Sequence, residues 1–322
     1  MNALPADVYL KREGVDETLG TRQTESKLSL ALDAIVNDKN HAEKSAGSYL
    51  DVLHRELSNL TVVEQRESIF DARILSTIDA SREYVNEYRF FVIAVSKAQN
   101  TERFLPQFTH FLERVLEIKK NYELEKTAAY LWLDSISFIT REIFLSTIGP
   151  LCAGGHWALV NGLLTHSYTI AKSNRTFSYH AFDGFQRSLD VFRNRRLNLK
   201  RLSVSADVLK ERADGSSLEF EQIMQADFIL HVYSLVHDQS SRKIWFARTL
   251  GYADKQLVSG FDAFVAARAG SSDDFLETLF EVADWTQLQS CITEAANSAA
   301  LNFSDTLDYQ GYTAANTAVF DQ

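Results

Sequence analysis

Six cations, Arg187, Arg193, Arg195, Arg196, Lys200 and Arg201, fall within fifteen residues of a 322-residue chain whose formal net charge is −10, and Lys210 and Arg212 follow them. Guanidinium groups at this density can hold phosphate oxygens through paired, charge-assisted hydrogen bonds, whether the phosphate belongs to RNA, DNA or a nucleotide. A plainer use is electrostatic. Cations near a helix C-terminus complement its dipole and pair with acidic neighbours on other helices. The global acidity repels nucleic acid at long range, so a phosphate-binding role would rest on this local patch alone. Dense basic runs are common on solvated faces, and the plainer use is the leading expectation.

The histidines offer a second chemistry. Arg175 and His180 are separated by four residues, and Arg103 and His110 by six. The pattern resembles the Arg-x(4–6)-His signature of HEPN-type ribonucleases, which are helical and metal-independent. The resemblance implies RNA cleavage in which His180 moves protons while Arg175 stabilises a charged phosphorane. The residue after the arginine, commonly polar in that family, is Thr176 in one pair and Phe104 in the other, which makes Arg175–His180 the better match. Twenty arginines and eight histidines yield about one or two such pairs by chance, so the spacing nominates residues without identifying an enzyme.

His237-Asp238 is similar to the dipeptide of HD-type metal phosphohydrolases. A divalent ion would need further ligands, because one His and one carboxylate leave it under-coordinated. His156, His166, His180 and Asp262 are available, yet no spacing singles one out, and the following Gln239-Ser240-Ser241 reads as a helix end. His231 lies one turn after Asp227, a spacing that suits a local hydrogen bond better than a ligand set. The chain has no phosphate-binding Gly-rich loop, no Gly-x-Ser-x-Gly, no His-Glu-x-x-His and no Cys-x-x-Cys. Gly154-Gly155 after Pro150 reads as an interhelical loop. No metal and no cofactor are expected.

The elements that must position these residues read as helices. Only Pro5, Pro106 and Pro150 occur, and β-rich domains usually spend more proline on turns. Phe104, Leu105, Phe108, Phe111, Leu112, Val115 and Leu116 recur at the spacing of one helix face, and Leu131, Trp132, Ile136, Ile139, Ile143 and Phe144 form a similar stripe. No sustained period-2 alternation between hairpin turns stands out. Thr61 with Glu64, and Ser216 with Glu219, fit capping boxes, while Asn100-Thr101 and Gly149-Pro150 are expected breaks. Helices are expected near 22–36, 41–58, 62–97 (with a break), 102–121, 123–147, 154–172, 178–195, 204–213, 218–237, 241–257, 260–269, 272–283 and 285–299. The expected fold is all-α, an irregular helical bundle or an α-solenoid-like array of antiparallel helix pairs. The organisation is a polar segment 1–20, helical regions 21–172 and 173–301, and a tail 302–322. Trp132, Trp157, Trp245 and Trp285 sit in apolar helical contexts as core anchors.

Arg196 to Asp207, Met224-Gln225-Ala226-Asp227-Phe228 and Trp245 to Ala253 resemble helical regions of uncharacterised bacterial proteins associated with conflict or signalling systems. That resemblance covers the second half of the chain and implies sensing or scaffolding beside a separate effector. Met1 to Gly20 lacks the apolar core of a secretory signal, no apolar run approaches the roughly 18 residues of a membrane span, and Cys152 and Cys291 are the only cysteines. A cytoplasmic protein is expected. Its function is expected to be non-enzymatic protein–protein interaction or regulation, with another protein (an effector enzyme, or a second copy of the chain) as partner. The alternative is a nucleic-acid-targeting protein.

Overall fold

A computed structural model describes residues 22–60, 70–125, 133–172, 175–179, 184–185, 203–237, 244–252 and 261–302. The fold is all-α, with one small two-stranded sheet among the described residues. The first helices are α1 (Gln23–Val36), α2 (Ala42–Ser58), α3 (Phe70–Ala80) and α4 (Arg82–Ser96). A 3-10 turn at Glu102–Phe104 leads into α5 (Leu105–Glu125), then α6 (Leu133–Ala153) and α7 (Trp157–Thr165). Strands β1 (Tyr168–Lys172) and β2 (Arg175–Tyr179) follow, then α8 (Val204–Ala213), α9 (Phe220–His237), a 3-10 turn Arg248–Tyr252, α10 (Asp262–Arg268), α11 (Asp273–Phe280) and α12 (Trp285–Asn302).

Amphipathic spacing explains the outer helices. In α1, Leu28, Ala31, Leu32 and Ile35 form the buried face, and in α2 Ala42, Ala46, Tyr49, Leu53 and Leu57 do so. Pro106 occupies the first turn of α5, where its missing N–H costs nothing. Helices α6 and α9 differ in kind. Every residue of α9 from Ile223 to Leu235 is buried, and α6 is buried from Asp134 to Cys152. A helix enclosed on all sides belongs in the middle. Helix α6 accordingly touches α3, α4, α5, α7, α9 and α10. It is also long and apolar enough to cross a membrane, with a mean hydropathy of 1.2, but 94% of that stretch is buried inside the protein.

One contiguous core runs from Leu28 to Ile292. Phe91 is its aromatic hub near α2, with ring centroids 5.2 Å from Tyr49, 5.8 Å from Phe108 and 6.3 Å from Tyr88. A second aromatic group joins Trp157, Phe264 and Phe280 to Phe275 at 4.7 to 5.3 Å.

Several expectations are corrected. The helix expected to reach residue 172 ends at Thr165, and Ser178 and Tyr179, expected to begin the helix over 178–195, belong to strand β2. Tyr168 and Ile170 are buried while Thr169, Thr176 and Ser178 are exposed, so the two strands carry the period-2 pattern over five residues each, too short to stand out in the sequence. Helix α6 runs through Gly149-Pro150 without the expected break. Its last turn is held by the buried Ile148, Leu151 and Cys152, and at Gly149 it passes so close to α9 that a side chain would come within 3.1 Å of the Gln222 carbonyl. The segment expected as a helix over 241–257 contains the non-helical stretch 244–247 and a 3-10 turn. The box at Ser216 and Glu219 does not form. The Ser216 hydroxyl accepts the Leu218 N–H, and the Gln222 side chain accepts the Glu219 N–H at 3.3 Å. The box expected at Thr61 and Glu64 lies outside the described residues, as does the tail after Asn302.

Truncating the hub, Phe91→Ala, should cost about 3–5 kcal/mol in denaturant unfolding, because three neighbouring rings lose a packing partner at a fully buried position.

Candidate functional site: two buried ion networks and a cleft

Consecutive residues of α6, Arg141 and Glu142, carry charge into the centre of the molecule, both 1% exposed or less at the side chain. A charge there must be paired and hydrogen-bonded. Glu142 meets two guanidinium groups. Its Oε1 accepts from Arg89 Nη2 of α4 at 2.9 Å, and its two oxygens accept from Arg212 Nε of α8 at 2.8 and 2.9 Å. Two cations against one carboxylate leave a positive excess. The rest of the site supplies the balance. Arg212 Nη1 donates to the Ile78 carbonyl in the last turn of α3 at 2.8 Å, and Arg89 Nη1 donates to the Arg212 carbonyl in the last turn of α8 at 2.9 Å. The Ile78 carbonyl also accepts from the N–H and hydroxyl of Ser81, just past the end of α3, and each helix end carries about half a negative charge. Ser81 Oγ accepts from Arg212 at 3.1 Å and Ser146 Oγ from Arg89 at 3.3 Å. Burial pushes the Arg89 guanidinium below its ordinary value, and Glu142 pulls it back.

Arg141 serves the other side of α6. Its Nη2 donates to Asp227 Oδ1 of α9 at 2.6 Å and to the Phe246 carbonyl at 2.7 Å, and its guanidinium lies 4.1 Å from the centre of the Trp245 ring. Asp227 also accepts from the Trp245 indole N–H at 2.7 Å and from the Thr249 N–H and hydroxyl, each at 2.9 Å. His231 Nδ1 donates to the Trp245 carbonyl at 2.6 Å. Residues 244–247 have no helix or strand of their own, and these side chains take up their backbone groups. Burial pushes the His231 imidazole below its usual range.

The histidines nominated from sequence hold structural partners. His156 joins Thr101 Oγ1 at 3.1 Å and the Ser96 carbonyl at 2.5 Å, closing the turn before α7. His166 contacts Glu113 Oε1 at 3.1 Å. His237 ends α9, as expected, and donates to the Leu279 carbonyl of α11 at 2.7 Å. Arg103 pairs with Asp38 at 2.7 Å and Glu43 at 3.4 Å, so the second Arg–His pair is not a free phosphate grip. Arg175 begins β2, where the strand register sets it opposite Lys172. His180, Arg187, Arg193, Arg195, Arg196, Lys200, Arg201 and Asp238 lie outside the described residues. Of the cations that follow the basic run, Lys210 lies 4.7 Å from the Tyr252 ring centre, whereas Arg212 is inside the protein. Arg212 therefore leaves the surface patch to which the sequence assigned it. Among the described residues no group of three or more His, Cys, Asp or Glu could hold a metal ion.

A cleft of about 350 Å³ opens between α2 and α5, with Leu50 and Phe111 among its apolar lining and Lys44, Gln107 and His110 among its polar lining. At one end Arg114 is held by Asp51 and donates to His54 Nδ1 at 2.7 Å. An arginine only donates, so His54 is the neutral acceptor. Burial first, and then the Arg114 guanidinium, pull the His54 imidazole down to about 4.

Sequence reasoning missed Arg89, Arg141 and Glu142, and singled out Asp227 only beside His231. The available signal was an Arg-Glu pair within the apolar run around Ile139, Ile143 and Phe144, since charges in an enclosed helix require internal partners. Comparison of the chain with protein-family models, curated proteins and solved structures finds no match.

Replacing Glu142 with Gln should cost about 3–5 kcal/mol in equilibrium unfolding, because two buried guanidinium groups lose their counter-charge. A loss below about 1 kcal/mol would contradict the pairing. A second expectation concerns acid. His54 binds its proton more weakly folded than unfolded, so it contributes stability above pH 6.5 that is lost as pH falls through about 4. His54→Gln should therefore flatten the stability–pH curve across that window relative to the parent chain.

Proposed function

We propose that the chain is a non-enzymatic helical interaction protein, a regulatory or sensor subunit of the kind that works beside an effector in bacterial defence or signalling systems. One observation carries this reading. The ionisable groups that converge within the described residues are spent on one another and on backbone ends, as Glu142 and Asp227 are, and leave no convergent acid, base and anion-stabilising set. Buried ion networks of this kind fix how helices meet. Their product is a rigid arrangement of outer surfaces, which is what a binding protein presents.

The second reading, contact with nucleic acid, draws on the hairpin. The register sets Lys172 opposite Arg175 at the end of the two strands, the part of the chain that leads on to Arg187 and Arg201. The positions nominated for HEPN-like cleavage, Arg175 and His180, begin and follow strand β2.

The readings separate on one preparation. The purified chain should self-associate or retain a protein partner, and should leave a labelled RNA uncut. RNA cleavage abolished by His180→Ala would replace this proposal with a ribonuclease. Salt-dependent RNA binding lost on changing Arg195 and Arg196 to alanine would replace it with a phosphate-binding module.

A further inference from the structure

The cleft between α2 and α5 contains a feature that packing does not explain. Gly47 sits in the interior of α2, where glycine is the poorest helix former after proline. A glycine kept there usually admits a neighbouring element that a side chain would block. Here a side chain would meet nothing within 4 Å. The helix therefore carries the weakness of a glycine in front of open space, and that space is the cleft.

The polar groups around the space divide by what they already hold. The two acids on α2 are occupied, Glu43 by Arg103 and Asp51 by Arg114. On the opposite walls Lys44 and His110 are exposed and have no hydrogen-bond or ion-pair partner, and the Gln107 side-chain oxygen is buried without one. An amide that has a buried end to satisfy can turn either its oxygen or its NH2 into the cleft. The unspent capacity is thus an ammonium, an imidazole and an amide, above a floor made by Leu50, Phe111 and the bare backbone at Gly47. A volume of about 350 Å³ lies at the lower end of small-molecule sites.

We infer that this cleft binds a small organic anion, a carboxylate or phosphate group on a compact apolar or aromatic body, with the anionic end between Lys44 and His110 and the body against Gly47, Leu50 and Phe111. Charge fixes the class. A cation would find both acids already neutralised, and a purely apolar ligand would leave the three polar groups desolvated and unbonded. The site stands whether or not the chain acts as a scaffold, since it rests on α2 and α5 alone.

The test uses the full chain, titrated by calorimetry with phenyl phosphate, benzoate and inorganic phosphate, while NMR follows the His110 ring protons. Saturable binding of phenyl phosphate, of benzoate or of both is expected, and which of them binds identifies the anionic group. Inorganic phosphate, lacking the body, should bind about tenfold or more weakly. Gly47→Leu fills the floor and Lys44→Glu reverses the rim charge. Each should weaken binding by about tenfold or more while circular dichroism shows an unchanged helical fold. Absence of saturation by either organic probe up to about 10 mM would overturn the inference, as would binding that Gly47→Leu leaves unchanged.

Discussion

Glu142, enclosed between the guanidinium groups of Arg89 and Arg212, is the constraint on which the arrangement of helices depends. Two buried cations around one carboxylate would be unstable alone. The arrangement holds because the C-terminal turns of α3 and α8 face the same point and present carbonyl groups to the arginines. A carboxylate and two helix ends of about half a charge each offset two guanidiniums. Four helices, α3, α4, α6 and α8, are thereby fixed in register by groups that tolerate little displacement.

The neighbouring Arg141 extends the effect to the other side of α6. Through Asp227 and Trp245 it binds α9 and the irregular segment that follows it. Apolar packing alone would let such helices slide at small cost, because one leucine-rich face resembles another. Directional bonds from two adjacent residues of the central helix remove that freedom. The same bonds pair these ionisable groups of the described residues with one another and with backbone groups.

The outer helices were legible because their period is their own: Leu28, Ala31, Leu32 and Ile35 announce α1 without reference to any other part of the chain. The same holds for the fully buried Trp245, whose apolar context suffices. The network was not legible. Arg89 and Arg212 lie 53 and 70 residues from Glu142, and a lone sequence contains nothing that links them. Proximity in the chain groups Arg212 with Arg201, whereas the last turn of α8 turns it inward. Pro150 misled because the local rule is a helix stop, and the surrounding core outweighed it. Gly47 carries no local signal, since only the space in front of it distinguishes it from an ordinary glycine.

Simple buried ion pairs can often be replaced by apolar residues of similar size without loss. The network around Glu142 should not behave so, because its arginines also bond helix-terminal carbonyls that no apolar side chain can satisfy. The direct measurement is equilibrium unfolding of a triple variant, Arg89→Met, Glu142→Leu and Arg212→Met. A loss of about 1–3 kcal/mol is predicted, from the buried Arg212 carbonyl left without a donor. A variant as stable as the parent chain would contradict the view that these charges hold the bundle together.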